Sequence, residues 1–302
     1  MKRTINFMGV RVILVSITLL LVLASLGAIA VKGFNFGLDF TGGTLIELNY
    51  SEAADLNAIR GQLQAGGYVD AVVQSFGAVT DVLIRTPGDD PELGKQIAAV
   101  LKESGSQDFS VKRVEFAGPA VGEELRDQGG IGMLVALAGI LVYLGFRFQW
   151  KFGMGAIIGL VHDVIITLGV VSLFQIQFDL TVLAAILAII GYSLNDSIVI
   201  FDRIRENFRL LRNTSLIDNI NISTTQTLLR TLATSISTLM AVAALLFFGG
   251  DNLWGFALAL MVGITAGTFS SIYISSIALI WLKLTVEDLI PPVAAEGVDE
   301  MP

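Results

Sequence analysis

Cysteine is absent from this 302-residue chain. That excludes a disulfide framework, thiolate chemistry and a cysteine-ligated metal. Charge is scarce too. Charged residues make up 15% of the chain and hydrophobic residues 54%, with a mean hydropathy of +0.73. This balance is too apolar for an ordinary soluble domain and points to a polytopic membrane protein. The net charge of -8 says little about partners, because many acids lie in residues 35–127 and after Glu287.

What the chain has instead is long apolar runs. Six are recognisable, at residues 12–31, 129–146, 152–174, 180–201, 227–248 and 253–282. Each is near or above the ~20 residues that a bilayer crossing requires, the second only marginally. The last is long enough to tilt or to protrude as a helix. Ala28-Ile29-Ala30 resembles a signal-peptide cleavage site. The run before it is longer than a typical signal segment and lacks the expected polar stretch, so a retained anchor is expected.

Six crossings put both termini on one side. That side carries Lys2, Arg3, Arg11, Arg147, Lys151, Arg203, Arg205, Arg209, Arg212 and Lys283. The opposite side has Lys32, and its short loops have Asp179 and Asp251 with no Lys or Arg. The basic side is therefore expected to be cytoplasmic. Trp150, Trp254 and Trp281 fall at run ends, where interfacial anchors belong.

The expected organisation is an anchor over 1–32, a polar domain over 33–128 and five further spans over 129–284. Within the last, Ile204, Phe208 and Leu211 recur among charges, which predicts an amphipathic helix on the inner leaflet over the link 202–226. Residues 285–302, with Pro291-Pro292 and acids, predict a disordered tail. The polar domain reads as strands at 44–50, 69–76, 81–86 and 108–116, with helices at 54–63 and 91–103. That β-α-β-β-α-β order predicts a ferredoxin-like α+β fold. It contains no His and no evident nucleophile–base pair.

Function points to the ionisable residues inside the runs, because intramembrane charges are costly and usually line pathways. His162 and Asp163 lie mid-run, and Asp196 lies in the segment 191–207, which passes from apolar to charged. Arg230 opens the following run. Antiparallel neighbours joined on that side place Asp196 and Arg230 at similar depth, which predicts a pair. A nearby Arg favours the ionised carboxylate while desolvation opposes it, so such an Asp suits reversible protonation. A static ion pair, or hydrogen bonds from Ser193, Asn195 or Ser197, is the plainer alternative. His162 also reads as a hydrogen-bonded residue of a helix bundle.

Two further patterns stand out. Gln226, Arg230, Thr234 and Ser237 make a polar stripe, suited to a hydrated path or to helix–helix hydrogen bonding. Gly255, Ala259, Gly263, Gly267 and Ser271 make a small-residue stripe suited to close helix packing. Gly42 and Gly43 lack the Lys-Ser/Thr and βαβ context of a phosphate loop, so a turn is expected there.

Three motifs carry a family resemblance: Asp39-Phe40-Thr41-Gly42-Gly43, Val121-Gly122-Glu123-Glu124-Leu125, and Gly191-Tyr192-Ser193-Leu194-Asn195-Asp196 followed by Phe201-Asp202-Arg203. With them the chain resembles, over nearly its whole length, the SecD/SecF family of bacterial protein-export membrane subunits, within the resistance–nodulation–division superfamily. Ser197 stands where Thr is expected.

The resemblance implies proton passage through Asp196 and Arg230, with Asp163 as a further candidate. It implies an inner-membrane location, with cytoplasmic termini and the domain in the periplasm. SecD would supply the other six-span half, near the SecYEG channel, and an unfolded exported polypeptide would be the cargo. The proton would be the coupling ion of a non-enzymatic machine, with no other cofactor, metal or nucleic acid. Rival expectations are a proton-driven small-molecule exporter half, an intramembrane aspartyl protease using Asp163 and Asp196, and a static scaffold.

Overall fold

The computed structural model describes residues 4–285 and Asp288, except 77, 89, 105–107 and 212–213. The tail expected beyond residue 285 falls outside the described residues apart from Asp288. The chain divides into two compact units, one of which comprises Phe34–Val135 and Ile176–Leu183.

The first helix, α1 (Arg11–Lys32), ends at Gly33, whose φ of 65° suits a residue without Cβ. The smaller unit then begins with β1 (Asn35–Phe36) and the single turn α2 (Leu38–Thr41). β2 (Gly43–Tyr50), α3 (Leu56–Ala65), β3 (Val72–Phe76), β4 (Ala78–Thr86), α4 (Leu93–Ser104) and β5 (Phe109–Ala117) follow. The sheet runs β3-β4-β2-β5 with every neighbouring pair antiparallel, the strand order of the expected split βαβ fold.

Alternation sorts the faces of the sheet. Ile46, Leu48, Val82 and Ile84 meet Ile59, Leu63, Ile97 and Leu101 of the two helices in one buried core. Each such side chain contributes about 1.5–3 kcal/mol on burial. Leu45 and Leu83 point to the other face, where they pack with Leu38. Glu47 and Asp81 share that face and are held by Lys112. Asp55 caps α3 by accepting from the Asn57 and Ala58 amides.

Beyond the sheet come α5 (Pro119–Arg147), α6 (Trp150–Leu173), the short strand β6 (Gln177–Phe178) and α7 (Leu180–Leu210). They are followed by α8 (Leu216–Phe248), α9 (Asp251–Ile272) and α10 (Ile274–Trp281). Six helical stretches among the described residues are long and apolar enough to cross a membrane, α9 and α10 counting as one. In the most apolar window of α1 and of α5 only 6% of residues are buried, against 50% in α6, in α7 and in α9–α10. The last three therefore supply the interior. The small-residue stripe of α9 serves close approach as expected: a Cβ on Gly263 would lie 2.2 Å from Ile189. α1 packs on α6 in the same way, Gly169 leaving room for Ser25.

Two boundaries differ from expectation. α5 starts at Pro119, ahead of the expected boundary at 128, and runs through Gly129 and Gly130, while the compact unit extends to Val135. Two adjacent glycines weaken a helix by about 1 kcal/mol each, too little to break one of this length. Among the described residues, no separate amphipathic helix occupies 202–226. α7 and α8 each continue through that stretch and pack on one another, burying Ile204 and Phe208 and joining Asn207 to Ser223 at 2.8 Å. The last apolar run is the expected long span, with a single-residue turn at Tyr273 between α9 and α10.

Candidate functional site: a buried polar core

The interior helices bring together side chains that lie far apart in the sequence. Asp163 of α6 is fully buried and its carboxylate is well supplied with donors. Ser193 Oγ of α7 donates to Oδ2 at 2.5 Å and Ser270 Oγ of α9 at 2.7 Å. His162 Nδ1 lies 2.8 Å from Oδ1. Thr167 closes the group by donating to the Asp163 carbonyl. Glycines make the approach possible. A Cβ on Gly267 would meet Ser193 Cβ at 3.2 Å and Asp163 Oδ2 at 3.4 Å. A Cβ on Gly159 would lie 2.2 Å from Ser275 Oγ.

Asp196 sits one turn beyond Ser193 on the same face of α7, and only 3% of it is exposed. Its surroundings are the opposite of those of Asp163. Oδ2 is buried and has no hydrogen-bond partner. The hydroxyls expected to serve it are committed elsewhere: Ser193 to Asp163, and Ser197 to Ser275 at 3.3 Å. Asn195, the third expected donor, is exposed. A buried carboxylate oxygen without a donor is unfavourable when ionised, whereas a bound proton gives the group its own donor.

Arg230 does not close this gap. No Arg230–Asp196 ion pair forms within 4.0 Å, in contrast to the contact expected from matched depth. The depth itself is as anticipated, since Asp196 and Arg230 each lie fourteen residues from the turn joining α7 and α8. The difference is angular. Thr227, Thr231 and Ser235, at spacing four, take the buried side of α8. Gln226 and Arg230, each one residue or about 100° away, fall on the exposed side, as does Ser237, two residues beyond Ser235. Arg230 nevertheless remains an electrostatic neighbour of Asp196.

The polar core extends from the carboxylates towards α8 through Tyr192, Ser235 and Thr268. Ser235 Oγ and Thr268 Oγ1 are 2.7 Å apart, and Tyr192 Oη donates to Ser235 at 3.3 Å. Ser270 and Ser275 were missed as site residues. Their signal was two serine pairs, 270–271 and 275–276, flanking Tyr273 inside an otherwise apolar run. Among the described residues no three His, Asp or Glu side chains gather as a metal site.

The remaining motif residues form two groups. Near the start of α7, Asp39 Oδ2 accepts from the Leu180 amide at 3.0 Å, and Phe40 packs edge-on to Phe36 and tilted against Phe178. Gly42 and Gly43 have φ of 64° and 105°, so the glycine pair is the expected turn. Gly122 is pressed against that turn, a Cβ there falling 2.8 Å from the Gly42 nitrogen. Its neighbours are less involved: Glu124 accepts from Gln128, and Leu125 is half-buried. At the other end of α7, Asp202 pairs with Arg147 at 2.5 Å, and Arg203 donates to Gln226 and pairs with Glu206. Gly191 and Asn195 face outward on α7.

Fold and site together define a multi-pass α-helical membrane protein with a small α+β domain and a carboxylate-bearing polar core. Comparison with known proteins gives the family. Residues 96–285 match the family described as protein export membrane protein SecD/SecF, C-terminal, and residues 27–54 match the SecD/SecF GG motif. The protein translocase subunit SecF of Pseudomonas aeruginosa is 65% identical over 300 residues, covering 99% of this chain and 98% of that one. SecF of Vibrio alginolyticus is 47% identical over 308 residues, covering 100% and 98%. The crystal structure of SecDF, a translocon-associated membrane protein from Thermus thermophilus, superposes with a TM-score of 0.85 at 40% identity. It covers 93% of this chain, which spans only 39% of that longer one. The chain belongs to the SecD/SecF family of protein export membrane proteins, on its SecF side.

Proposed function

We propose that this chain is the SecF half of a SecD–SecF complex in the bacterial inner membrane, one that uses the proton motive force to assist late protein translocation. The observation that carries the proposal is Asp196, a buried carboxyl with one oxygen unpartnered and an arginine nearby but not in contact. In this reading Asp196 takes up and releases a proton, and Arg230 approaches or withdraws to favour one state or the other. A unit charge crossing the membrane gains ~2.3 kcal/mol per 100 mV, enough to bias a conformational equilibrium.

SecD supplies the other six spans. The exposed polar positions Asn195 of α7 and Gln226, Arg230 and Ser237 of α8 support this, since lipid is a poor neighbour for them. The termini lie in the cytoplasm, the α+β domain in the periplasm, and SecYEG delivers the unfolded polypeptide. The machine is non-enzymatic and the proton is its coupling ion. Asp163 and Asp196 share no hydrogen bond, and three neighbours occupy the Asp163 carboxylate, which is unlike a protease dyad. An exporter half for small molecules is the rival reading.

The test is Asp196→Asn at matched protein level. Export of a precursor into inverted vesicles and proton flux through the reconstituted complex should both fall by an order of magnitude. Normal values of both would remove Asp196 from the mechanism. Efflux of a small solute that depends on Asp196, without any effect on precursor export, would select the rival.

A further inference from the structure

The glycine-pair motif and the start of α7 are joined by more contacts than a turn needs. β1 and β6 form a parallel ladder pairing Asn35 with Gln177 and Phe36 with Phe178. The Gly37 amide donates to the Phe178 carbonyl at 2.8 Å. Four rings, Phe34, Phe36, Phe40 and Phe178, pack at centroid distances of 5.3 to 6.2 Å. Arg85 of β4 reaches across to donate to the Phe36 carbonyl and to Asn35 Oδ1. Asp39 supplies its carboxylate to the first amide of α7 at Leu180.

We propose that this cluster is a rigid clasp, and that Asp39 is a positioning residue coupling α7 to the α+β domain. α7 is one uninterrupted helix, clasped at Leu180 and carrying Asp196 sixteen residues, about 24 Å, further on. A rotation or axial shift of α7 at Asp196 therefore arrives at Leu180 as the same motion. The clasp hands it to β4 through the bond from Arg85 to the Phe36 carbonyl, which a change of the Asn35 side chain leaves in place, and to α5 through the Gly42–Gly122 contact. Because the glycines admit close backbone approach, the joint has little slack. This inference rests on the proton-driven reading for the source of the motion, though not for the existence of the joint.

The cysteine-free chain allows a direct test in the complex with SecD. Asp39→Ala removes the acceptor, whereas Asp39→Asn and Asp39→Ser keep one. Asn35→Cys with Gln177→Cys places two thiols on paired strand positions, within disulfide reach. Precursor export is measured in inverted vesicles under oxidising conditions and again after dithiothreitol. Asp39→Ala should lower export about fivefold, the scale of a lost helix cap, and Asp39→Asn or Ser should retain most of it. The cysteine pair alone should export normally when oxidised. Combined with Asp39→Ala it should recover export when oxidised and lose it again when reduced, in the same membranes. A block caused by the oxidised pair would mean that the joint must open, and would overturn the proposal. Normal export by Asp39→Ala, or no recovery on oxidation, would overturn it equally. Asp196→Asn run in parallel keeps the two readings apart. If that variant exports normally, the proton reading falls while the clasp result stands.

Discussion

Two buried aspartates in one bundle have been given opposite surroundings, and their substitutions should separate accordingly. Asp163 accepts from two serines and lies against His162, so Asp163→Leu strands those donors. A loss of about 2–4 kcal/mol is expected, seen as a lower midpoint in thermal aggregation of the detergent-solubilised complex. Asp196→Asn removes a carboxylate oxygen that has no donor, so the same measurement should stay unchanged or rise even as export falls. Stability that fell equally in both would show that the unpartnered oxygen is satisfied in the membrane. The sequence made the two carboxylates visible because they interrupt apolar runs. It did not reveal which serine serves which, since Ser193 and Ser197 both lie within one turn of Asp196 on α7 and their choice is made by α6 and α10.

Among the elements, α9 depends on its small residues and the sheet on its charged face. Gly263→Val adds atoms where even a Cβ would lie 2.2 Å from Ile189. Overpacking of about 1–3 kcal/mol should follow, measurable as a lowered denaturation midpoint, whereas Gly132→Ala on the open side of α5 should raise stability by up to about 1 kcal/mol. In the sheet, the Asn49 side chain and then Lys112 hold the Asp81 carboxyl below its ordinary value. A carboxylate lowered in this way stabilises the folded state above the unfolded value near pH 4. That stabilisation is lost as pH falls through the lower folded value. Protection of the β2 and β4 amides in the whole protein, taken relative to the intrinsic exchange rate at each pH, should therefore fall below about pH 4, and Asp81→Asn should flatten the dependence. The strands and helices of this domain were legible within a few residues because its alternation and helical spacing are regular. β1 and β6 were not, because two-residue strands carry no period and their partners are separated by the whole domain and two spans. The link 202–226 was misread for a related reason: an apolar stripe looks alike whether it faces lipid or a neighbouring helix.

On the scale of the molecule, α7 and α8 present polar atoms outward along a face that is otherwise lipid-like, with Leu229, Ile236 and Met240 exposed beside Arg230. If that face is the SecD contact, single cysteines at Asn195 or Ser237 should react with a membrane-permeant maleimide in the chain alone. They should be protected at least tenfold in the complex, and Trp281→Cys on α10 should react in both. Equal labelling at all three positions would place the partner elsewhere. Six-span architecture was plain from hydropathy, but this sidedness was not, because Arg230 and Thr231 are neighbours in sequence, about 100° apart on the helix, and one is exposed while the other is buried.

The ladder between β1 and β6 also sets an order of assembly. The four strands of the main sheet are complete once residue 117 has been made, yet Phe36 waits for Phe178. At the ~5–20 residues per second of protein synthesis, the intervening 142 residues take roughly 7–28 s. Until then three phenylalanines and the Asp39 carboxylate have no α7 to close upon. A chain truncated before α7 would keep that aromatic patch open, displaying its incompleteness to any chaperone or protease on that side of the membrane.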